Sequence, residues 1–240
     1  MLTVANVTVP ARFNGPRTSG QGGYSCALLA AQLEGPAAVS LRRPVPLDAE
    51  LEVRVEGAGA SAFDAAGELI AEAVPAPPLA PWDAPRIDLK AAHRAKSCFV
   101  APPGGTFDRC FVCGLERHDG LGVFSGPVEG TDLVASPWTP PKWSADSAGA
   151  MLPEFVWAAL DCPGYFALHG TDLTLAFLAR QQSEVLAPVR AGVEYLAVGR
   201  PLERSGRKSL AATAIVDSDG EVLAHAEVLI VVPREAMSHK

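Results

Sequence analysis

The sequence predicts an α+β protein in which one pattern is used twice: a short strand, a buried helix, then a run of antiparallel strands. Three observations predict it. Two stretches, Gln21–Leu33 and Pro153–Cys162, are apolar on every side, as a helix buried all round must be. Most other periodic segments alternate with a period of two, as strands do. A ten-residue pattern also recurs at an offset of 153 residues. Asp64-Ala-Ala-Gly-Glu-Leu-Ile-Ala-Glu-Ala73 and Asp217-Ser-Asp-Gly-Glu-Val-Leu-Ala-His-Ala226 share Asp-x-x-Gly-Glu, two aliphatics and Ala-x-Ala. Repetition over so long a period points to duplication of a structural unit.

The elements follow in order. Thr3–Phe13 carries spaced valines and reads as a strand, and Asn14-Gly15-Pro16 and Ser19-Gly20 as turns. The first helix opens on Gln21-Gly22-Gly23 and ends at Gly35-Pro36. Val39–Arg43 and Leu51–Gly57 read as strands; in the second, Leu51, Val53 and Val55 share one face and Glu52, Arg54 and Glu56 the other. Ser61–Ala73 holds two short strands about a turn at Asp64–Gly67. Val74–Arg86 contains five prolines and little periodicity, so a linker is expected over 75–109. The halves are then 1–74 and 110–240.

In the second half, Thr131–Trp138 is strand-like and a loop rich in Pro, Trp and Ser follows. Pro153 suits the first turn of the second helix, where its missing N–H costs nothing, and Glu154 there complements the helix dipole. Pro163 and Gly164 are expected to end that helix, which leaves Asp161 near its C-terminus, where the dipole disfavours a carboxylate. An acid in that place asks for another reason to be there. Leu173–Ala179, Val189–Val198, Lys208–Asp217 and Val222–Val232 complete the strands.

Composition narrows the function. The chain has 240 residues, 48% of them hydrophobic, and a net charge of -7. That acidity argues against a nucleic-acid partner, whose phosphates require a basic face. No apolar run reaches the ~18 residues of a membrane span, and the N-terminus lacks the basic and apolar regions of a signal peptide. Five unevenly spread cysteines fit reduced thiols in the cytoplasm better than a disulfide framework.

Two stretches carry a family resemblance. Cys110-Phe-Val-Cys-Gly114 followed by Gly120-Leu121, and the helix opening Gln21-Gly22-Gly23, resemble the hotdog-fold acyl-CoA thioesterases, in a tandem or double-hotdog arrangement. The resemblance implies two central helices, each wrapped by an antiparallel sheet. It implies that backbone N–H groups at a glycine-rich helix start polarise a thioester carbonyl, while a carboxylate about two turns along a helix of the opposite half acts as base or nucleophile. Matching Leu160-Asp161 to the family's pattern places Asp161 on that carboxylate and Pro153-Glu154 on the glycine positions. In the first half Gly22 and Gly23 hold the glycine positions and Ala30 the carboxylate position. One composite site is therefore expected: Gly22 and Gly23 facing Asp161, with Gln21, where the family often has His, and Tyr24 and Trp157 as substrate-binding residues. An acyl-CoA or related thioester is the expected partner, with homo-oligomerisation open. The alternative is a protein of the same fold that binds acyl-CoA without catalysis; a dehydratase would want a His that neither helix has.

Cys110 and Cys113, with Cys98 and His118 near, have spacing compatible with a Cys3His zinc set. A single Cys-x-x-Cys pair, found also in the resembling proteins as the ordinary start of a strand, leads to no assigned metal or cofactor. Arg42-Arg43 and Arg204–Lys208 are small basic turns that could meet coenzyme A phosphates or simply face solvent. Trp138 and Trp143 are candidates for a lid.

Overall fold

A computed structural model describes residues 3–83, 86–169 and 174–234. Three α-helices are present among them, α1 (Gly22–Ala30), α2 (Leu89–Ser97) and α3 (Pro153–His169). The strands are β1 (Thr3–Thr8), β2 (Ala37–Leu41), β3 (Glu50–Glu56), β4 (Gly59–Phe63), β5 (Leu69–Pro75), β6 (Gly126–Pro127), β7 (Val134–Trp138), β8 (Phe177–Val185), β9 (Tyr195–Ser205), β10 (Lys208–Val216) and β11 (Val222–Val231). They form a single antiparallel sheet in the order β1-β3-β4-β5-β2-β8-β11-β10-β9-β7-β6. The strand that follows α1 (β2) and the strand that follows α3 (β8) are hydrogen-bonded neighbours, Val39 opposite Gln181.

The recurring segments occupy matching places. Asp64 Oδ1 accepts from the amides of Ala66 and Glu68, and Asp217 Oδ1 from those of Asp219 and Glu221. Gly67 and Gly220 take φ of 78° and 86°, left-handed conformations that favour glycine. A third turn of this kind lies outside the repeat, at Asp146, whose Oδ1 accepts from Ala148 and Ala150. The turn alone is thus a common local solution; the match lies in what it joins, β4 to β5 and β10 to β11.

α1 and α3 pack side by side on one face of the sheet. α1 buries Gly23 through Ala27 and Leu29, and α3 buries Phe155 through Leu168. Neither has a polar stripe, because each is covered by sheet and by the other helix. Where they touch they run in opposite senses: Gly23 lies against Trp157, Ala158 and Asp161, and the Tyr24 ring against Phe155.

Two expectations are revised. Pro163 and Gly164 do not end α3; the helix continues to His169. Gly164 is there for closeness, since a Cβ on it would lie 2.1 Å from Val228 Cγ2 of β11. Asp161 therefore sits in mid-helix. The proline-rich segment is also not merely a linker. It carries α2, capped by Asp88, whose carboxylate accepts from Ala91 N at 2.8 Å. α2 buries Ala92 and Ala95 with Leu133, Ala135 and Val198, a second apolar cluster on the opposite face of the sheet. The prolines before it are fastened to β8: Glu184 accepts from Leu79 N, and Gln182 donates to Pro77 O. β8 and β9 begin later than their sequence patterns indicate, and Leu173 lies outside the described residues.

Candidate active site

The loop before α1 is fixed first. Asn14 donates from Nδ2 to Arg109 O at 3.0 Å and accepts from Arg117 at 2.7 Å. Phe111 N bonds Asn14 O at 2.7 Å. These contacts tie the approach to α1 onto the turn that begins at Cys110.

Gln21, fully buried, is the N-cap of α1. Its Oε1 accepts from Tyr24 N at 2.7 Å, and its Nε2 donates to Asp161 Oδ2 at 2.5 Å. A glutamine can do both because its amide is acceptor on one side and donor on the other. Gly23 N also donates to Asp161 Oδ2, at 3.1 Å. The two neighbours share one oxygen, which leaves Oδ1 for a third group. Glycine is required at position 23, where a Cβ would stand 2.5 Å from the Trp157 carbonyl oxygen. At position 22 a Cβ would crowd Leu178 and lie 3.1 Å from Asp161 Oδ2.

Burial dominates the Asp161 carboxyl, raising its pKa to about 7; the Gly23 and Gln21 hydrogen bonds pull the other way, and the nearby Cys110 adds to the rise. Two donors at the positive end of a helix reduce the cost of a carboxylate there without abolishing it.

Asp161, Gln21 and Gly22 line a cavity of about 490 Å³, together with Phe107, Tyr165, Phe166 and Leu178. Its size and apolar walls suit a small organic ligand. Gly23 does not line it. Of the four amides at the start of α1, Gly23 serves Asp161, Tyr24 serves the cap and Ser25 bonds Gln21 O. Gly22, which lines the cavity, carries the one of these four amides without such a partner among the described residues.

The expected residues thus divide. Gln21, Gly22, Gly23 and Asp161 come together. Tyr24 instead stacks on Phe13 at 4.4 Å between ring centroids, in a cluster with Phe111 and Phe155. Trp157 is buried and its carbonyl accepts from Gln181. Neither ring lines the cavity. Trp138 is buried with Nε1 bonded to Leu121 O, and Trp143 packs under Arg12 near the start of α3. Arg42 and Arg43 do reach the cavity rim, paired with Glu72 and Glu68. Arg204, an exposed residue, instead bonds the carbonyls of Ala167 and Leu168, complementing the C-terminal end of α3.

Pro153 opens α3 as Gly22 opens α1, and Ala30 is the last residue of α1. The first helix stops where the second carries Asp161.

Three further residues border the cavity: Cys110, Cys113 and Cys162. Cys98, exposed at the end of α2, and His118 do not join them. The pairing of Cys162 with the other two is tertiary, so no spacing in the chain announces it.

No family model and no curated protein matches the sequence. Solved structures do match in fold. One assigned provisionally as a thioesterase II from Thermobifida fusca YX is 17% identical with a TM-score of 0.60, over 96% of this chain and 92% of that one. A hot dog-fold protein of unknown function from Alicyclobacillus acidocaldarius is 14% identical with a TM-score of 0.59, over 97% and 96%. A tesB protein from Mycobacterium avium subs paratuberculosis is 14% identical with a TM-score of 0.57, over 97% and 93%. The chain has the hotdog fold over nearly its whole length and is similar to thioesterases that share it.

Proposed function

We propose that the chain is a double hotdog, with halves 1–74 and 110–240 joined through 75–109, that hydrolyses an acyl thioester of the acyl-CoA class at one composite site in the cytoplasm. Fold does not fix chemistry, so the reading rests on the site. The single observation that carries it is the meeting of Asp161 with Gln21 and Gly23 at the wall of an apolar cavity.

Each group has a role that follows from its geometry. Asp161, ionising near neutrality, accepts a proton from water, or attacks the carbonyl carbon, through the free Oδ1. Gln21 and Gly23 hold its other oxygen. Gly22 N–H, at the positive end of α1, stabilises the oxyanion that develops on the thioester oxygen. The assignment moves Gly23 from oxyanion binding to positioning. The apolar walls take the acyl chain, and Arg42 and Arg43 at the rim are placed for the phosphates of coenzyme A. The pseudo-equivalent site, with Pro153 lacking an N–H and Ala30 lacking an acid, has neither group.

The test is thiol release from a panel of acyl-CoA esters, with Asp161→Asn alongside. Turnover of at least one ester by the native chain and its loss in the variant are expected. Thermal stabilisation by the esters with no thiol release would instead establish the binding protein of the same fold. Unchanged turnover in Asp161→Asn would remove the aspartate from the mechanism.

A further inference from the structure

We propose that Cys110, Cys113 and Cys162 form a thiolate site for a zinc-class divalent cation in the cavity wall, with its fourth position facing the cavity. The inference does not depend on the thioesterase reading.

The three sulfur atoms lie within 4.8 Å of one another, and all three residues are buried. Tetrahedral coordination at Zn–S distances of about 2.3 Å requires sulfurs about 3.8 Å apart, so closure on a cation needs shifts of an ångström or less. Burial alone does not make such a group: Cys26 is equally buried and stands outside it.

The turn that presents two of the ligands is built for them. Gly114 N bonds Cys110 O at 2.9 Å, and Val112 N points at Cys110 Sγ from 3.4 Å. An amide aimed at sulfur favours the thiolate, the form that binds metal. A Cβ on Gly114 would fall 2.5 Å from Cys110 N and 2.6 Å from Asp108 O, so the chain closes tightly enough that only glycine fits. The turn is braced by Leu121 N on Phe111 O and Val123 N on Val112 O, at 2.8 and 3.0 Å. The third ligand comes from α3, a rigid element held by packing along its length. Preformed, braced ligands on separate elements are what a metal site needs.

The donor set selects the ion. Three thiolates without a carbonyl or carboxylate ligand disfavour magnesium and calcium and favour thiophilic ions. A divalent ion neutralises two of the three charges, whereas monovalent copper leaves two uncompensated in a buried place. All three cysteines line the cavity, which gives the ion an entry path.

The full chain, reduced with a phosphine and stripped by chelator dialysis, is titrated with Co(II) and then with Zn(II). The expected result is thiolate-to-cobalt charge-transfer absorption saturating at about one equivalent, its loss on adding zinc, and about one zinc per chain retained through dialysis. Cys162→Ser should weaken binding by roughly 100-fold or more, beyond what loss of a supporting residue costs, while Cys98→Ser leaves it unchanged. Cys113→Ser, outside α3, repeats the test should the helix variant fold poorly. Absence of the charge-transfer band in reduced wild-type protein overturns the site, whether the sulfurs are then found as free thiols or had been isolated as a disulfide. So does unchanged stoichiometric binding in both serine variants.

Discussion

In the metal-free chain, Asp161 is an acid whose folded-state pKa, about 7, lies above the 3.8 of an exposed aspartate. Below about pH 4 it is protonated folded or unfolded, and its ionisation costs nothing. Between about pH 4 and 7 the folded chain keeps a proton that the unfolded chain has released, so stability falls as pH rises; above 7 the penalty is complete. At about 1.4 kcal/mol per unit, the full penalty is on the order of 4–5 kcal/mol. Asp161→Asn keeps an acceptor for Gln21 and Gly23 and removes the charge. It should be the more stable protein at pH 8 by a few kcal/mol, with the difference vanishing below pH 4, as urea unfolding at the two pH values will measure. Its turnover should fall roughly 10²- to 10⁴-fold, and native kcat/KM should rise with pH through about 7 as the base ionises. Gly23→Ala sets a methyl 2.5 Å from a backbone oxygen that has no rotamer to escape into. It should lower stability by about 1–3 kcal/mol and separate Gln21 from Asp161, lowering turnover as well. A glycine pair opening an apolar helix and an acid in an apolar surround are local signals, but joining them into one site rests on the family resemblance, and the expected Tyr24 and Trp157 do not line the cavity. The division of labour between Gly22 and Gly23 was not readable, because it depends on which amide Oδ2 reaches across 138 residues of chain. The gathering of Cys162 with Cys110 and Cys113 is hidden for the same reason.

At the scale of the element, α3 overrides its own sequence. A proline in a helix interior costs about 3 kcal/mol relative to alanine, and glycine about 1. Both occur in the middle of α3, because the surrounding sheet leaves the helix no other place to go. Position 164 admits no side chain, and Pro163 O lies 2.6 Å from where a Cβ on Gly199 would stand. Local rules read the Pro-Gly pair as a stop, whereas packing uses the glycine to bring α3 onto β10 and β11. Gly164→Ala should therefore destabilise by 1–3 kcal/mol through overpacking against Val228 rather than stabilise by helix propensity. The clash is specific, so Val228→Ala in the same chain should recover much of it. The cycle of Gly164→Ala, Val228→Ala and the double variant should give an interaction energy of about 1 kcal/mol or more; additive losses would show that the two residues do not meet. α2 was missed for a related reason. Its helical stretch, Leu89–Ser97, is short and follows five prolines, and only the apolar cluster on the far face of the sheet makes it stable. Strands with strict alternation, such as β3, were found nearly to the residue; β8 drifted because Gln181, Gln182 and Ser183 are buried polar residues that break the pattern.

At the scale of the molecule, those buried polar residues mark where the two parts of the sheet join. β2 and β8 share only three paired positions, Ala38 with Gln182, Val39 with Gln181 and Ser40 with Arg180. The stronger union lies beneath them. Gln181 donates to the Trp157 carbonyl, the same oxygen that crowds Gly23, so sheet seam and helix contact meet at one point. α1 is apolar on every side, and the sheet β1–β5 can cover only part of it; α3 covers the rest. A piece of about 74 residues is already marginal in the fraction of surface it buries, and with one face of its helix bare it has little left to offset chain entropy. The chain should therefore unfold as one unit despite its repeated pattern. All four tryptophans lie at position 82 or beyond, so their fluorescence in urea follows the second part, while hydrogen exchange of β3 and β4 amides follows the first. Coincident midpoints are expected. Gly23→Ala strikes the point of union, and it should lower both midpoints together. Earlier opening of β3 and β4 in that variant, with fluorescence unmoved, would mean that the first part is stabilised on its own and that α3 contributes little to it. The composite site would then be held by the three-residue seam and by the contacts of Asn14 with Arg109, Phe111 and Arg117, and not by the packing of α3 on α1.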